Sequence, residues 1–339
     1  MLKADLVGVG VIGTGRAGLV HCTNFAENVP NARLISVCDA DKKNAEKTAM
    51  QFNVKAYNKA EEFLNDPALD AVVIATPTFT HAEMVKQAAE AGKAILCEKP
   101  LASTEAEAAA MGKAVEKNGV CFVMGFMRRF DKNFIRANEI IRRGDIGEPL
   151  MIKSTGKGPG LPPPWNLDIS KSNGMLAEVN SHDFDCVRFL TGENYRWVFA
   201  TARNNKCLQF AKEYPDFYDT AIVTFGLTGK VMGTIDGACP ADYGYDARVE
   251  IQGTDGVLMI GSIAKKGVVI GLKEAGVIEE MVDSWRTLFK EAYLAEDRTL
   301  IECLINGTTP PSSLEDGWKA LQAVLAANRS IKNGAVEKI

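Results

Sequence analysis

Closely spaced metal ligands and cysteine pairs are missing from this sequence. It has only three histidines, His21, His81 and His182, and they lie far apart. Its eight cysteines include no C-x-x-C pair, and no two of them lie closer than 16 positions. Zinc sites draw on closely spaced ligands, and disulfide frameworks belong to oxidising compartments. We therefore expect no metal site, and a cytoplasmic protein whose thiols are reduced.

A surplus of positive charge and a long apolar run are also absent. The 39 lysines and arginines are outnumbered by 43 aspartates and glutamates, which gives a formal net charge of -4. Nucleic-acid-binding domains usually have a basic surface, and a helix that spans a membrane needs about 18 or more apolar residues. The sequence therefore predicts neither a nucleic-acid partner nor a membrane partner.

Two kinds of pattern divide the chain of 339 residues, which is long enough for two domains. Over 1–124, short apolar runs alternate with helical patterns, which is typical of parallel strands with helical crossovers. Over 125–339, most strand patterns follow one another through turns, and an amphipathic helix is predicted over 174–190. We expect an α/β fold with a doubly wound parallel sheet, followed by an α+β domain with a large, mostly antiparallel open sheet.

A glycine fingerprint follows the first apolar run. It reads Gly13-Thr14-Gly15-Arg16-Ala17-Gly18, and Asp39 lies 21 residues after it, at the end of the next strand pattern. This spacing supplies a tight turn, a helix N-terminus for a pyrophosphate and an acid for ribose hydroxyls. It predicts a Rossmann domain that binds a dinucleotide. Because Asp39 would repel a 2′-phosphate, NAD is favoured over NADP. Alternatively, Asp39 is a helix N-cap.

Two further segments follow strand patterns of the first domain. Thr76-Pro77 leads to His81, which could contact the cofactor or cap the next helix. Glu98-Lys99-Pro100 closes an apolar run at the strand end where the nicotinamide would lie. Pro100 restricts the backbone beside Lys99, and a fixed ammonium can lower the pKa of a substrate hydroxyl or relay its proton. Alternatively, Lys99 is a solvated lysine at a strand end.

The third histidine lies in the predicted helix 174–190. Glu178 precedes His182 by four positions and Asp185 follows it by three, so on a continuous helix both acids would lie beside the imidazole. A histidine oriented by an acid is the usual arrangement of a general base. The alternative is a helix with a capped, partly buried histidine.

Two segments are candidates for substrate contact. Met127 and Arg128 follow a strand at the crossover between the domains, where they could face the substrate or form a solvated turn. Trp165 ends the loop 158–165, which is rich in glycine and proline, and could lie over a sugar ring. Alternatively, this loop is a stiff polyproline surface segment.

Together, the glycine fingerprint, Asp39, Thr76-Pro77 with His81, Glu98-Lys99-Pro100 and the segment 178–185 resemble the glucose-fructose oxidoreductase/inositol dehydrogenase/MocA family. The resemblance covers nearly the whole chain. It implies a cofactor site that includes Glu98 and Lys99, with 1–124 binding NAD and 125–339 binding substrate and forming the oligomer. One departure is Glu178, because family members usually have an aspartate four residues before the histidine.

The segment 125–131 is most similar to the inositol dehydrogenase branch. The resemblance therefore implies an NAD-dependent dehydrogenase of a cyclic polyol or sugar, with His182 as the base and Lys99 polarising the hydroxyl oxygen. One alternative is a glycoside or nucleotide-sugar 3-dehydrogenase, including cleavage of a glycoside by oxidation and elimination. An alternative of another class is a non-catalytic sensor of sugar and NAD on the same fold.

An open sheet also predicts self-association. Two strand patterns are apolar at alternate positions, and we assign these positions to the uncovered face: Ala221, Val223, Phe225, Val231, Gly233 and Ile235. An apolar face of this kind needs a cover. We therefore expect a homo-oligomer, a dimer or a tetramer, formed sheet on sheet.

Overall fold

The structure is a computed structural model that describes residues 6–272 and 276–339. The chain forms two compact units. The first comprises the chain up to Phe130 together with Glu291–Leu321, and the second comprises Asp131–Lys290 together with Gln322–Ile339. The first unit thus extends past residue 124 and includes a segment from near the C-terminus. No sequence pattern indicates this return of the chain.

Six parallel strands form the sheet of the first unit. They are β1 (Val7–Ile12), β2 (Ala32–Cys38), β3 (Lys55–Tyr57), β4 (Ala71–Ile74), β5 (Ala94–Glu98) and β6 (Phe122–Gly125). Their order is β3-β2-β1-β4-β5-β6, so the predicted doubly wound parallel sheet is confirmed. Every residue of β1, β4 and β5 is buried, which explains their continuous apolar runs.

Five helices connect these strands. They are α1 (Arg16–Glu27), α2 (Lys42–Phe52), α3 (Ala60–Leu64), α4 (His81–Glu90) and α5 (Glu105–Asn118). Local signals set their ends. In α5, Thr104 and Glu107 form a reciprocal capping box, and Gly119 ends the helix in the left-handed conformation. The short elements β3 and α3 have too few residues to show a clear periodicity, so the sequence does not predict them.

The second unit contains a seven-stranded sheet and a separate two-stranded sheet. The strands are β7 (Pro149–Lys157), β8 (Tyr195–Arg203), β9 (Thr220–Leu227), β10 (Met232–Ala238), β11 (Asp246–Gly253), β12 (Val257–Ile260), β13 (Ala264–Leu272), β14 (Gly276–Met281) and β15 (Glu337–Lys338). The large sheet has the order β12-β11-β7-β10-β9-β8-β15. Only β7 and β10 pair in parallel, so the expected mostly antiparallel sheet is confirmed.

The remaining helices are α6 (Lys132–Arg142), α7 (Ile169–Ser172), α8 (Gly174–Glu178), α9 (Ser181–Thr191), α10 (Trp285–Leu288), α11 (Lys290–Asn306) and α12 (Leu314–Asn333). The prediction of one helix over 174–190 is wrong, because the chain breaks between α8 and α9. Val179 and Asn180 lie at the break, where Asn180 has φ -92° and ψ 0°. Among the residues that the structure describes, no helix has the length and apolar character needed to cross a membrane.

The assignment of the open sheet face is also wrong. Ala221, Val223 and Phe225 are at most 2% exposed. Their side of the sheet faces inward, where α8 and α9 contact β10 and β7. The outward face instead presents exposed residues such as Ile222 and Met232. Alternation shows that a strand has two different faces, but the more apolar one here is covered within the chain.

Two glycines of the large sheet leave room for the residues at the break between α8 and α9. Gly156 of β7 and Gly237 of β10 are partners in the parallel ladder. A Cβ atom on Gly237 would collide with the side chain of Asn180, and one on Gly156 would collide with the carboxylate of Asp183. Asn180 donates hydrogen bonds to the Gly156 carbonyl (3.1 Å) and to Asp183 (2.9 Å). The glycines therefore let the start of α9 lie directly on the sheet.

We predict that Gly237→Ala lowers the melting temperature. An alanine that fits without strain stabilises the folded state by about 0.4–1 kcal/mol, because it restricts the unfolded chain. Overpacking against buried Asn180 destabilises it by about 1–3 kcal/mol, so we expect a net loss of stability. The matched control is Gly160→Ala, because a Cβ atom there meets nothing within 4 Å. Thermal unfolding followed by circular dichroism checks the prediction. Equal melting temperatures for the two variants would contradict it.

Candidate functional site

The glycine fingerprint forms the turn between β1 and α1. Gly13 has φ +92°, a conformation that residues with a Cβ atom rarely adopt. A Cβ atom on Gly18 would collide with the Gly13 carbonyl, so this glycine allows the helix to approach the strand closely. At Gly15 a Cβ atom would meet nothing within 4 Å. The first and third glycines thus shape the turn, and the second leaves its outer surface open.

The N-terminus of α1 is suited to an anion. Gly15 is its N-cap, and no side chain accepts a hydrogen bond from the first turn in the part of the chain that the structure describes. Arg16 and Ala17 open the helix, and its first turn contains no acidic residue. The free N–H groups and positive dipole of such a terminus favour a phosphate. The open space at Gly15 and this uncapped terminus fit a dinucleotide pyrophosphate.

Asp39 is fixed at the end of β2 by the glycine turn. Its Oδ2 accepts hydrogen bonds from the Thr14 backbone N–H (2.8 Å) and hydroxyl (2.7 Å). Its Oδ1 accepts a bond from the Asp41 backbone N–H (2.9 Å). The N-cap of α2 is Asp41, which accepts from the Lys43 backbone N–H, so the alternative that Asp39 caps this helix is wrong. Asp39 therefore lies in a fixed position next to the fingerprint.

His81 joins the loops that follow β4 and β5. Its Nε2 lies 2.9 Å from the carbonyl oxygen of Thr76, and its Nδ1 lies 2.8 Å from that of Pro100. The ring is 1% exposed, and burial lowers its pKa below the ordinary value. Both ring nitrogens therefore contact the backbone of their own unit. The geometry points to His81 as a support for Thr76-Pro77 and for the turn after Lys99.

Lys99 directly follows β5, at the carboxyl edge of the parallel sheet. Its backbone N–H donates a hydrogen bond to Glu98 Oε2 (3.0 Å). Glu98 is 4% exposed, whereas Lys99 is half-buried. A buried carboxylate therefore holds the main chain of the residue whose ammonium the sequence analysis places at the nicotinamide.

The segment after β6 is packed and not a solvated turn. Met127 and Arg128 are 1% and 2% exposed in a short 3₁₀ helix, Met127–Phe130. The Arg129 guanidinium contacts Asp316 (2.9 Å) and donates a hydrogen bond to the Pro311 carbonyl (3.0 Å). The solvated-turn alternative is therefore wrong. A buried guanidinium is costly to desolvate unless it is paired.

In the second unit, His182 lies in the first turn of α9 and is 6% exposed. The neighbouring Asp183 accepts hydrogen bonds from Ser154 (2.6 Å) and Asn180 (2.9 Å), which fixes this turn on the sheet. Glu178 ends α8, so Glu178 and His182 do not share one continuous helix. Asp185 is buried in α9, with its carboxylate 3.9 Å from Arg188. The predicted helical spacing therefore does not apply to Glu178, whereas Asp185 and His182 share α9 at the expected three-residue spacing.

Trp165 is half-buried in a 3₁₀ turn, Pro164–Leu167, that follows the loop 158–163. The described part of the first unit brings together the glycine turn, Asp39, the Thr76 loop and Lys99 at the ends of parallel strands. Glu178, His182 and Trp165 belong to the second unit.

The first unit also contains a buried cluster of one histidine and three acidic residues that the sequence does not predict. His21 Nδ1 lies 2.7 Å from Asp297 Oδ1, and His21 Nε2 lies 3.3 Å from Glu98 Oε1. Asn24 donates a hydrogen bond to Asp297 Oδ2 (2.8 Å). Side-chain atoms of His21, Glu98 and Glu296 lie within 4.8 Å of one another. The only sequence signals for this cluster are a histidine three residues after the fingerprint and an acidic pair inside α11.

Comparison with known proteins agrees with this geometry. Residues 7–126 match the model of an oxidoreductase family with an NAD-binding Rossmann fold. Residues 138–339 match the C-terminal alpha/beta domain of the same family. The chain belongs to the glucose-fructose oxidoreductase/inositol dehydrogenase/MocA family.

Relatives in this family are similar over nearly their full length. The chain is 35% identical to the scyllo-inositol 2-dehydrogenase (NAD(+)) of Bacillus subtilis, over 96% of this chain and 94% of that protein. It is 32% identical to the myo-inositol 2-dehydrogenase of Thermotoga maritima, over 96% of each chain. A solved myo-inositol dehydrogenase from Corynebacterium glutamicum superposes with a TM-score of 0.89 at 27% identity, covering 98% of this chain and 99% of that one. The predicted family and fold are confirmed.

Proposed function

We propose that this chain is an NAD-dependent dehydrogenase that oxidises a secondary hydroxyl of a cyclic polyol of the inositol type. The observation that carries the proposal is the group at the carboxyl edge of the parallel sheet, where an open dinucleotide turn, fixed Asp39 and Lys99 all follow strands. The NAD-binding family and the inositol dehydrogenases among its relatives support the substrate class.

The cofactor would be held mainly by the first unit. The turn Gly13-Gly15-Gly18 and the backbone of Arg16 and Ala17 would hold the pyrophosphate, and Asp39 would bind the ribose hydroxyls. The loop Thr76-Pro77, supported by His81, and Glu98-Lys99 would lie beside the nicotinamide half. NAD, when bound, accepts a hydride from the carbon that is oxidised.

Two side chains would act on the substrate hydroxyl. His182 would remove its proton as a general base, and the Lys99 ammonium would stabilise the negative charge that develops on the oxygen. Glu178 would assist His182 from the end of α8. Met127, Arg128 and Trp165 would contact the polyol ring. We propose that 1–124 forms the cofactor domain and 125–339 the substrate domain, in a cytoplasmic protein whose eight cysteines form no disulfide.

A substrate panel tests the function directly. We expect NAD to be reduced, seen as NADH absorbance, with one or more inositols at a higher kcat/KM than with hexoses or glycosides. Release of an aglycone without net NADH would instead indicate cleavage by oxidation and elimination. The absence of turnover with every compound, despite binding of NAD, would indicate a sensor.

We predict that the paired change Asp39→Ser with Ala40→Arg shifts preference from NAD toward NADP. The fixed carboxylate of Asp39 would repel a 2′-phosphate, whereas an arginine would pair with it. The ratio of kcat/KM for the two cofactors measures the shift. Asp41→Ser is the matched control, because Asp41 caps α2 and serine retains the cap. A wild-type enzyme that uses both cofactors equally would refute the role of Asp39.

We predict that His182→Ala and Lys99→Met each lower kcat by about 10²- to 10⁴-fold, the usual range for general acid-base groups. Binding of NAD, measured by fluorescence titration, should be retained. Because both side chains act on one oxygen, the double variant should lose less than the product of the single losses. If His182→Ala retained near-normal kcat on its best substrate, Lys99 would become the stronger candidate for the base.

The outward face of the large sheet would form the oligomer interface. Met232 is 59% and Ile222 is 50% exposed on neighbouring strands, and Met151 and Phe199 are also exposed on this sheet. Exposed apolar side chains on one face favour association with a second copy. We propose a homo-oligomer, a dimer or tetramer, formed through this face.

We predict that Met232→Glu dissociates the oligomer, because it places a charge where apolar surface would be buried. Light scattering should give a multiple of 36.7 kDa for the wild type and a lower mass for the variant. Met50→Glu is the control, since Met50 is 77% exposed on α2 of the first unit. A wild-type monomer at micromolar concentration would refute the proposal.

A further inference from the structure

The buried cluster around His21 lies between the helix that starts at the glycine turn and the strand that leads to Lys99. His21, Glu296 and Asp297 are 0% exposed, and Glu98 is 4% exposed. The ring of Tyr293 contacts His21 edge-on, with 5.7 Å between the ring centres. One histidine and three carboxyl groups therefore lie together in the interior of the first unit. Such a site is costly unless its charges are matched.

Protonation of some of these groups can balance the buried charges. Burial alone would lower the pKa of His21, but the charge and hydrogen bond of Asp297, followed by Glu98, raise it well above its ordinary value. Burial, together with the charge of Glu98, raises the pKa of Glu296 well above its ordinary value. Burial also raises the pKa of Asp297, which its contact with His21 opposes. These directions favour a protonated imidazole at His21 between Asp297 and Glu98, and a protonated Glu296. No hydrogen-bond partner of either Glu296 oxygen is found among the residues that the structure describes.

Glu98 connects this cluster to Lys99. One oxygen of its carboxylate faces His21 Nε2, and the other accepts the backbone N–H of Lys99 (3.0 Å). Burial alone would raise the pKa of Glu98, but the hydrogen bond from His21 and the nearby charges lower it, so the carboxylate is ionised. An ionised acceptor makes a stronger hydrogen bond to a backbone N–H than a neutral one. His21 thereby affects how firmly the Lys99 main chain is held.

The far end of the cluster is equally fixed. Asp297 of α11 accepts from both His21 and Asn24, and these two residues lie three positions apart on α1. The chain of contacts runs from α11 through His21 to Glu98 and ends at the backbone of Lys99. The catalytic groups proposed above do not include His21, Glu296 or Asp297.

We propose that His21 is a positioning residue, which acts through Glu98 to hold Lys99 in the orientation needed for catalysis. This inference rests on the proposed role of Lys99. Because a displacement of about 1 Å in a catalytic group can cost roughly 10²-fold in rate, the loss of a single buried contact is enough to matter. His21 would affect kcat and leave NAD affinity unchanged, because both nitrogens of its ring contact buried carboxyl groups, those of Glu98 and Asp297.

The test is a double-variant cycle on the full-length enzyme with NAD and its best inositol. We expect His21→Gln to lower kcat by roughly 10- to 100-fold and to leave the Kd for NAD unchanged. In a Lys99→Met background, His21→Gln should cause no further loss, because its effect passes through Lys99. Equal fold losses in both backgrounds would show a merely structural role and overturn the proposal.

A stability control separates positioning from general weakening. Asp66 is 3% exposed in the same unit, and its carboxylate binds Lys55 (2.9 Å) and Tyr57 (2.8 Å). Asp66→Asn should lower the melting temperature but leave kcat unchanged. If His21→Gln does not fold, the pair Glu98→Gln and Glu98→Ala replaces it. Glutamine keeps an acceptor for the Lys99 N–H and alanine does not, so Glu98→Gln should have a higher kcat than Glu98→Ala.

The remaining outcomes separate this inference from the proposed function. If Lys99→Met loses activity but His21→Gln retains wild-type kcat, only the positioning role fails. If Lys99→Met itself is fully active, the proposed function and this inference both fail. Metal analysis by mass spectrometry should find no divalent ion retained after purification. One tightly bound ion per chain, whose removal by a chelator alters the His21 variant and wild type differently, would show a metal site and overturn the proton-based account.

Discussion

Parallel pairing is the constraint on which the candidate cofactor site depends. β1 pairs in parallel with both β2 and β4, and β4 pairs in parallel with β5, so their carboxyl ends lie at one edge of the sheet. The residues that follow these strands are Gly13, Asp39, Thr76 and Lys99. They are distant in sequence, yet the common strand direction brings them to the same edge. This is where open parallel sheets bind ligands.

The sequence predicts those parts of the fold that local chemistry controls. The strands β1, β4, β5 and β6 are buried on both faces, so their apolar runs are nearly continuous, and helices such as α5 have explicit caps. The break at Val179 and Asn180 has no such signal. It depends on Gly156 and Gly237, which are distant in sequence and clear the space that Asn180 occupies. A periodic pattern that continues through the break therefore predicts one helix where the tertiary structure requires two.

The same limit applies to the faces of the large sheet and to the buried cluster. Alternation in β9 shows that Val223 and Ile222 lie on opposite faces, but only the packing of α8 and α9 decides which face is covered. His21 and Asp297 are 276 residues apart in sequence. The residues around each of them in sequence do not predict their contact, because it depends on the return of α11 to the first unit. Site residues that follow strands can be predicted, whereas residues that support them from behind cannot.

Energetics favour a role for the cluster in orientation more than in stability. Buried ion pairs contribute little net stability, because desolvation offsets most of the attraction, and apolar residues of similar volume are often neutral or stabilising by about 1–4 kcal/mol. A purely structural requirement between α1, β5 and α11 would therefore be met as well by apolar side chains. A hydrogen-bonded imidazolium fixes direction, which apolar packing does less precisely. The direction that it fixes belongs to Glu98, and through Glu98 to the backbone of Lys99.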